Sequence, residues 1–147
     1  MIWKVITIGK PSLAHAKDGL VEYSRRISRY TRIQFVHGKE RGQEENSRQL
    51  LDLSSDCSIR IALDERGREL TTSGLVERIN SWERNGAIKS VALLVGGADG
   101  HSDELRGAVN DVWRLSALTL QHELALLVLL EALYRSYTIK RGEPYHR

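Results

Sequence analysis

Apolar and polar positions alternate along this chain in blocks that switch between two periods. Ile2–Ile8 is a nearly unbroken apolar run ended by Gly9-Lys10-Pro11, the pattern of a strand covered on both faces. Leu13, Ala16, Leu20, Tyr23, Ile27 and Tyr30 then recur at steps of three and four. They predict an amphipathic helix, with Ser12 placed to cap it. Ile33–Val36 predicts a second strand, Glu44–Leu53 a helix and Ser58–Leu63 a third strand, with Asp64–Arg68 as the loop at its carboxyl end. Thr72 or Ser73 opens a helix carrying Leu75, Val76, Ile79 and Trp82, and Gly86 is placed to close it with a left-handed cap.

Val91–Val95 is the fourth apolar run and stops on Gly96-Gly97. Ser102 caps a short helix with Asp103 and Glu104 in its first turn, where the helix dipole favours acids. Trp113–Leu115 predicts a short fifth strand. Thr119 is placed to cap the last helix, His122–Lys140, which Gly142-Glu143-Pro144 stops. Strands and helices alternate throughout. The expected fold is a single α/β domain over residues 1–147 with a mainly parallel sheet and no linker or internal repeat.

In such sheets ligands sit at the carboxyl ends of the strands. That makes Leu63–Arg68, Gly96–His101 and Leu115–Leu120 the candidate loops. The spacing Gly96-Gly97-x-x-Gly100 is neither a dinucleotide fingerprint nor a P-loop, and Asp99, Asp103 and Glu104 would repel a polyphosphate. A neutral or locally cationic ligand fits the acids better. No metal site is expected. The five histidines show no paired spacing, and Leu126 stands where His122-Glu123 would need a second histidine. Cys57, the single cysteine, excludes an internal disulfide, suits the cytosol and reads as packing rather than as a nucleophile.

The last helix differs from the others. Leu124, Leu126, Leu127, Val128, Leu129, Leu130 and Leu133 run nearly all round it, so it needs cover on more than one side, and a partner subunit is the expected second cover. Glu131 and Arg135 stand four residues apart on this helix, a spacing that allows an ion pair, which either is structural or lines a site. The formal charge of +3 is a mild excess that permits RNA binding without requiring it. The polar stretch Gly38–Gln43 is expected to be mobile, and either touches a polyanion or is an ordinary surface loop. No apolar run approaches the roughly 20 residues of a membrane span, and no signal peptide is expected.

Four blocks then converge. LLVGGADG at Leu93–Gly100, LSALTL at Leu115–Leu120, LLEALYR at Leu129–Arg135 and the closing PYHR at Pro144–Arg147 together resemble the RlmH family of ribosomal RNA large-subunit methyltransferases, of the SPOUT class. The resemblance spans the whole chain. It implies an α/β domain whose C-terminal segment threads a deep trefoil knot, and a cytoplasmic homodimer. The cofactor it implies is S-adenosyl-L-methionine, in contact with Leu63, Gly96 and the loop Leu115, Ser116, Ala117, Leu118, Thr119, Leu120. The implied reaction methylates N3 of a pseudouridine in 23S ribosomal RNA of the assembled 70S ribosome.

Removing the imide proton from N3 needs a base or a donor that stabilises the anion. His146 has the intrinsic range of such a base, Arg135 and Arg147 are placed to stabilise the anion or hold phosphate, and Tyr145 to stack on the base, with Glu131 as the partner of Arg135. The tail is expected to reach across the dimer. Where many relatives carry Pro or Ser at 98, Pro at 121 and Arg at 126, this chain has Ala98, Gln121 and Leu126. The loss of Pro is expected to loosen the cofactor loop slightly. The alternatives are a related enzyme with another RNA target, or a ribosome-binding protein without catalysis.

Overall fold

The computed structural model describes residues 1–147. Five strands form one sheet, β1 (Ile2–Ile8), β2 (Arg32–Gly38), β3 (Ile59–Glu69), β4 (Ser90–Val95) and β5 (Asp111–Arg114), in the order β2-β1-β4-β3-β5. All neighbouring pairs are parallel. The helices are α1 (Ala14–Ile27), α2 (Gln43–Leu53), α3 (Thr72–Arg84), α4 (Asp103–Ala108) and α5 (His122–Lys140).

The strand period of two sorts side chains into two cores. Trp3 and Val5 of β1, Ile61 of β3 and Val91, Leu93 and Val95 of β4 pack against α1, α3 and α5. Their alternates Ile6 and Ile8, Ala62, and Ala92 and Leu94 pack against Leu50 of α2 and Leu105 of α4. The sheet is therefore covered on both faces, which is why β1 and β4 carry continuous apolar runs. Each large side chain so buried contributes about 1.5–3 kcal/mol. Polar edges inside the first core are matched: the Trp3 indole donates to the Tyr137 hydroxyl at 2.8 Å, which donates to Glu83 at 2.9 Å.

Several local expectations are corrected. Asp64–Arg68 is not a free loop, because β3 resumes after a bulge and pairs again with β5 at Arg68–Trp113 and Glu69–Arg114. Gly67 makes this possible, since a Cβ there would stand 2.5 Å from the Val112 carbonyl group. Asp111 holds the join. Its mostly buried carboxylate accepts from Arg68, from Arg78 at 3.2 Å, from the Trp113 indole at 3.1 Å and from the Val112 amide at 2.9 Å. Burial pushes that carboxyl up, and these donors outweigh it to hold it low.

Ser12 does not cap α1, and Leu13 takes the cap position without a side-chain bond. Thr71, not Thr72 or Ser73, caps α3 by accepting from the Gly74 amide. Gly86 is not left-handed; the helix ends on extended Asn85. Gln121 rather than Thr119 caps α5, accepting from the amides of Glu123 and Leu124 at 2.8 and 3.0 Å.

Candidate ligand site and C-terminal cluster

At the β3 bulge and the carboxyl ends of β4 and β5 the three candidate segments enclose a cavity of about 390 Å³. Leu63, Gly96, Leu115, Ser116, Leu118, Thr119 and Leu120 line it; Ala117 does not. Asp64, Glu65, Arg66, Asp99, Arg114 and His122 also line it, none of them among the expected ligand-binding residues. The walls are tied to one another. The Thr119 hydroxyl donates to Glu65 at 3.1 Å, joining the loop before α5 to the β3 bulge. Arg106 of α4 reaches Asp64 at 3.5 Å and the His101 carbonyl at 2.7 Å. Gln43 donates to the Asp99 carbonyl at 2.8 Å.

The glycine turn is packed from below and from the side. A Cβ on Gly97 would fall 2.7 Å from a Glu40 carboxylate oxygen, and one on Gly96 would fall 3.2 Å from the ring of His101. His101 is buried, and burial holds its pKa below the ordinary imidazole range. Its Nε2 lies 3.2 Å from the Leu94 carbonyl. A carbonyl can only accept, so Nε2 carries the proton and the Nδ1 lone pair is left buried without a partner. Arg114 Nε, in the cavity wall, is a second buried polar atom without a partner.

Glu123, in the first turn of α5, binds the Ser12 hydroxyl that was expected to cap α1. It accepts from the Ser12 amide at 2.7 Å, the Ser12 hydroxyl at 3.0 Å and the Leu13 amide at 2.9 Å. Burial pushes its carboxyl up, but these three donors prevail and hold it below the usual range. With Gln121 capping the same turn, the loop before α5 is anchored even where relatives use Pro. Leu126, at the position where many carry Arg, is buried in the core.

The other expected residues gather at the far end of α5. Glu131 Oε1 accepts from Arg135 at 2.6 and 3.1 Å and from the Tyr145 hydroxyl at 2.9 Å. The Arg135 guanidinium sits 4.8 Å from the Tyr145 ring centroid, and that ring meets Tyr134 edge-on at 4.7 Å. Arg135 Nη1 lies 3.0 Å from His146 Nδ1. Guanidinium can only donate, so His146 Nδ1 accepts and a neutral ring carries its proton on Nε2. Burial, then Glu131, push the Tyr145 phenol up, so it remains a donor. The amides of Gly142 and Glu143 donate back to Ile139 and Thr138, and Tyr30 donates to Glu143 at 2.6 Å, which fixes the approach to the tail. Arg147 is exposed.

The structure thus brings Glu131, Arg135, Tyr145 and His146 together, and brings the cavity residues together, but keeps the two groups apart. Arg135 stands thirteen residues along α5 from His122, about 20 Å of helix axis. No three His, Cys, Asp or Glu side chains converge where they could hold a metal ion, and no helix is long and apolar enough to cross a membrane. Asp99 lies in the glycine loop whose acids already pointed to a cationic ligand, whereas Asp64 and Glu65 lie in a candidate loop but carry no spacing signal of their own. Glu123 is hidden in the sequence beside a histidine in a failed metal motif.

A parallel sheet covered on both faces, with a leucine- and glycine-lined cavity at its strand ends, defines an α/β protein built to hold a small organic ligand there. Residues 1–146 match the family model described as predicted SPOUT methyltransferase. The chain is 44% identical over 144 residues to the ribosomal RNA large subunit methyltransferase H of Thermus thermophilus, covering 98% of this chain and 97% of that protein. It is 42% identical over 143 residues to the protein of the same name from Deinococcus radiodurans, covering 97% of each. Among solved structures, a probable methylase family protein from Haemophilus influenzae superposes with a TM-score of 0.60 at 13% identity, over 99% of this chain and 70% of that one. A probable methyltransferase from Bordetella pertussis gives 0.59 at 10% identity, over 92% of this chain and 95% of that one; at such identities these two show the fold. The chain belongs to the SPOUT methyltransferase family and, within it, to the ribosomal RNA large subunit methyltransferase H group.

Proposed function

We propose that residues 1–147 act as one domain that transfers a methyl group from S-adenosyl-L-methionine to N3 of a pseudouridine in 23S ribosomal RNA, on the assembled 70S ribosome in the cytoplasm. We infer further that the chain works as a homodimer whose C-terminal segment threads a knot. The observation that carries the reading is the presence of both the cavity and the Glu131–Arg135–Tyr145–His146 cluster in a chain related over nearly its full length to proteins named ribosomal RNA large subunit methyltransferase H. The return of the chain from edge strand β5 to α5, packed between α1 and α3, supports the threading.

The cavity fits the cofactor. Its volume lies in the range of small-molecule sites. Leu63, Leu115, Leu118 and Leu120 offer aliphatic surface to adenine, and the loop backbone offers hydrogen bonds to its edge. Asp64, Glu65 and Asp99 suit a ribose diol and a cationic centre. When bound, the cofactor supplies an electrophilic methyl group on a sulfonium. The protein positions the acceptor nitrogen in line with it, which lowers the entropic part of the barrier.

N3 becomes a nucleophile only as its proton leaves to solvent, and the resulting anion spreads over the two flanking carbonyl oxygens. Arg135 and the Nε2–H of His146 are donors suited to hold that charge. Because Arg135 engages Nδ1, the cluster as built favours anion stabilisation over proton abstraction by His146. Glu131 keeps the guanidinium oriented, Tyr145 stays a neutral donor, and Arg147 is free for phosphate.

A single chain holds the two groups about 20 Å of helix apart, so a second copy must bring its cluster to the cavity. Exposed Leu13, Val21, Leu118 and Leu124, 36–75% accessible, provide apolar surface for that interface.

The test is transfer of a radiolabelled methyl group to 70S ribosomes from a strain lacking the modification, with free 23S RNA in parallel. Label in 23S RNA only from intact ribosomes is the expected result. No label from a folded, cofactor-binding protein would move the assignment to another RNA target or to a binding role.

A further inference from the structure

The segment Gly38–Gln43, expected from sequence to be mobile, is held at nearly every polar position by the protein's own side chains. Gln49 brackets Lys39, accepting from its amide at 2.8 Å and donating to its carbonyl at 2.6 Å. Asn46 is 2% exposed, accepts from the Arg41 amide at 2.8 Å and donates to Glu40 at 2.9 Å. Glu40 also accepts from the Gly42 amide at 3.1 Å, and its other oxygen packs on Gly97 of the cavity turn. The loop backbone is thereby held, and Glu40, though exposed, is engaged by Asn46 and the Gly42 amide. Lys39 and Arg41 are left exposed with their charges uncommitted.

Lys10 joins them. The Gly9 amide donates to the Gly38 carbonyl at 2.7 Å, so the turns after β1 and β2 lie edge to edge. Lys10 is exposed, lines a small cleft with Gly96 and His122 beside the main cavity, and its charge acts with burial to hold His37 neutral. Some other arginines are paired with carboxylates, Arg25 and Arg26 with Glu22, Arg68 and Arg78 with Asp111, and Arg106 with Asp64. The nearest free carboxylates in sequence, Glu44 and Glu45, sit in the first turn of α2, where they offset its positive end.

We propose that Lys10, Lys39 and Arg41 form a rigid phosphate-binding ridge with which the protein grips the backbone of its RNA substrate beside the cofactor cavity. The proposal rests on the reading of the chain as an RNA methyltransferase and adds where the RNA lies. Two cations on a pre-ordered loop, with a third on the adjoining turn, bind phosphates without the entropy cost of ordering that loop. The hydrogen bond from Gln43 to Asp99 and the packing of Glu40 on Gly97 join the ridge to the glycine turn. RNA held by the ridge is therefore registered against the cavity.

The experiment compares wild-type protein, K39E/R41E, K10Q/K39Q/R41Q and the control R84E/K89E, whose cations are exposed at the end of α3 and just before the amino end of β4, away from the carboxyl ends of β1 and β2. Binding to 70S ribosomes lacking the modification, steady-state methyl transfer and cofactor affinity by calorimetry are measured at several salt concentrations. K39E/R41E is expected to weaken ribosome binding and raise the KM for ribosomes at least tenfold, with cofactor affinity unchanged. The glutamine variant should lie between, with a salt slope shallower by about 0.7–0.9 for each phosphate no longer neutralised. Ribosome binding no weaker than in the control overturns the ridge, and the glutamine variant decides this if charge reversal impairs folding. Wild-type binding without transfer would sink the methyltransferase reading instead, while the binding series still judges the ridge.

Discussion

The two ends of α5 are built by opposite means. At its N-terminus the cavity is assembled from three loops distant in sequence, and it holds its shape through bonds between them: Thr119 to Glu65, Arg106 to Asp64, Gln43 to Asp99, Glu123 to Ser12 and Leu13. At its C-terminus the cluster is nearly local, with Glu131 and Arg135 one helical turn apart and Tyr145 and His146 folded back onto them. The cavity is a product of the whole fold. The cluster depends on one helix and its tail, so it can be delivered as a unit to a neighbouring copy. Ligand holding and charge stabilisation should therefore fail independently.

The sharpest way to break that separation is at Arg135. R135A is expected to lower kcat for methyl transfer by about 10²–10³-fold, the loss typical of an oxyanion donor, while cofactor affinity by calorimetry stays within twofold. Loss of cofactor binding would refute the division. The converse change is Gly67→Ala, whose methyl group would collide with the Val112 backbone. It should cost about 3 kcal/mol in urea unfolding and abolish cofactor binding by splaying β5 from β3, yet leave the cluster intact. Co-expressing R135A with Gly67→Ala should then restore part of the activity in mixed dimers, since one chain supplies a sound cavity and the other a sound cluster. No recovery would mean that each chain needs both of its own.

Smaller effects sharpen the cavity end. Glu123 has a depressed carboxyl, so its stabilisation is present above the unfolded value near 4.3 and is lost as pH falls through the lower folded value. Wild type should exceed E123Q in thermal stability at pH 7, and the gap should close in acid. A gap independent of pH would show that the three donors do not favour the charged form. His101 carries the opposite lesson for a base. Its folded pKa is depressed, so the unfolded chain binds the proton first, and stability declines as pH drops below about 6.5. H101L should remove that part of the acid sensitivity, by about 1 kcal/mol or less, read from unfolding curves at pH 5 and 7.

The elements legible in the sequence are those whose burial is complete. β1 and α5 fall at their expected bounds because continuous apolar runs and a Gly-Pro stop leave no other reading. The sequence pattern cuts β3 short because Arg66, Gly67 and Arg68 look like a loop; only pairing with β5 and the grip of Asp111 make them a strand. The caps are misplaced for a related reason. Ser12 and Thr119 have the right chemistry for capping, but glutamates from distant segments claim their hydroxyls, and Gln121 does the capping. The apolar circumference of α5 correctly points to cover on several sides. Leu126, Leu129, Leu130 and Leu133 are buried within the chain, while Leu124 remains exposed. Of the eight positions that the family resemblance marks for a cofactor, all but Ala117 line the cavity. Strand order and the bulge that turns Asp64 and Glu65 into the wall depend on tertiary pairing and leave no local trace.

Because α5 begins at the cavity and carries Glu131 and Arg135 near its other end, it also serves as a gauge. Each residue sets about 1.5 Å of length and about 100° of rotation. One residue inserted between Leu127 and Glu131 would swing the cluster to another face while hardly changing its reach. Seven would restore the face but displace the cluster by about 10 Å. The helix should thus accept many exchanges of one leucine-like side chain for another and almost no change in its number of residues.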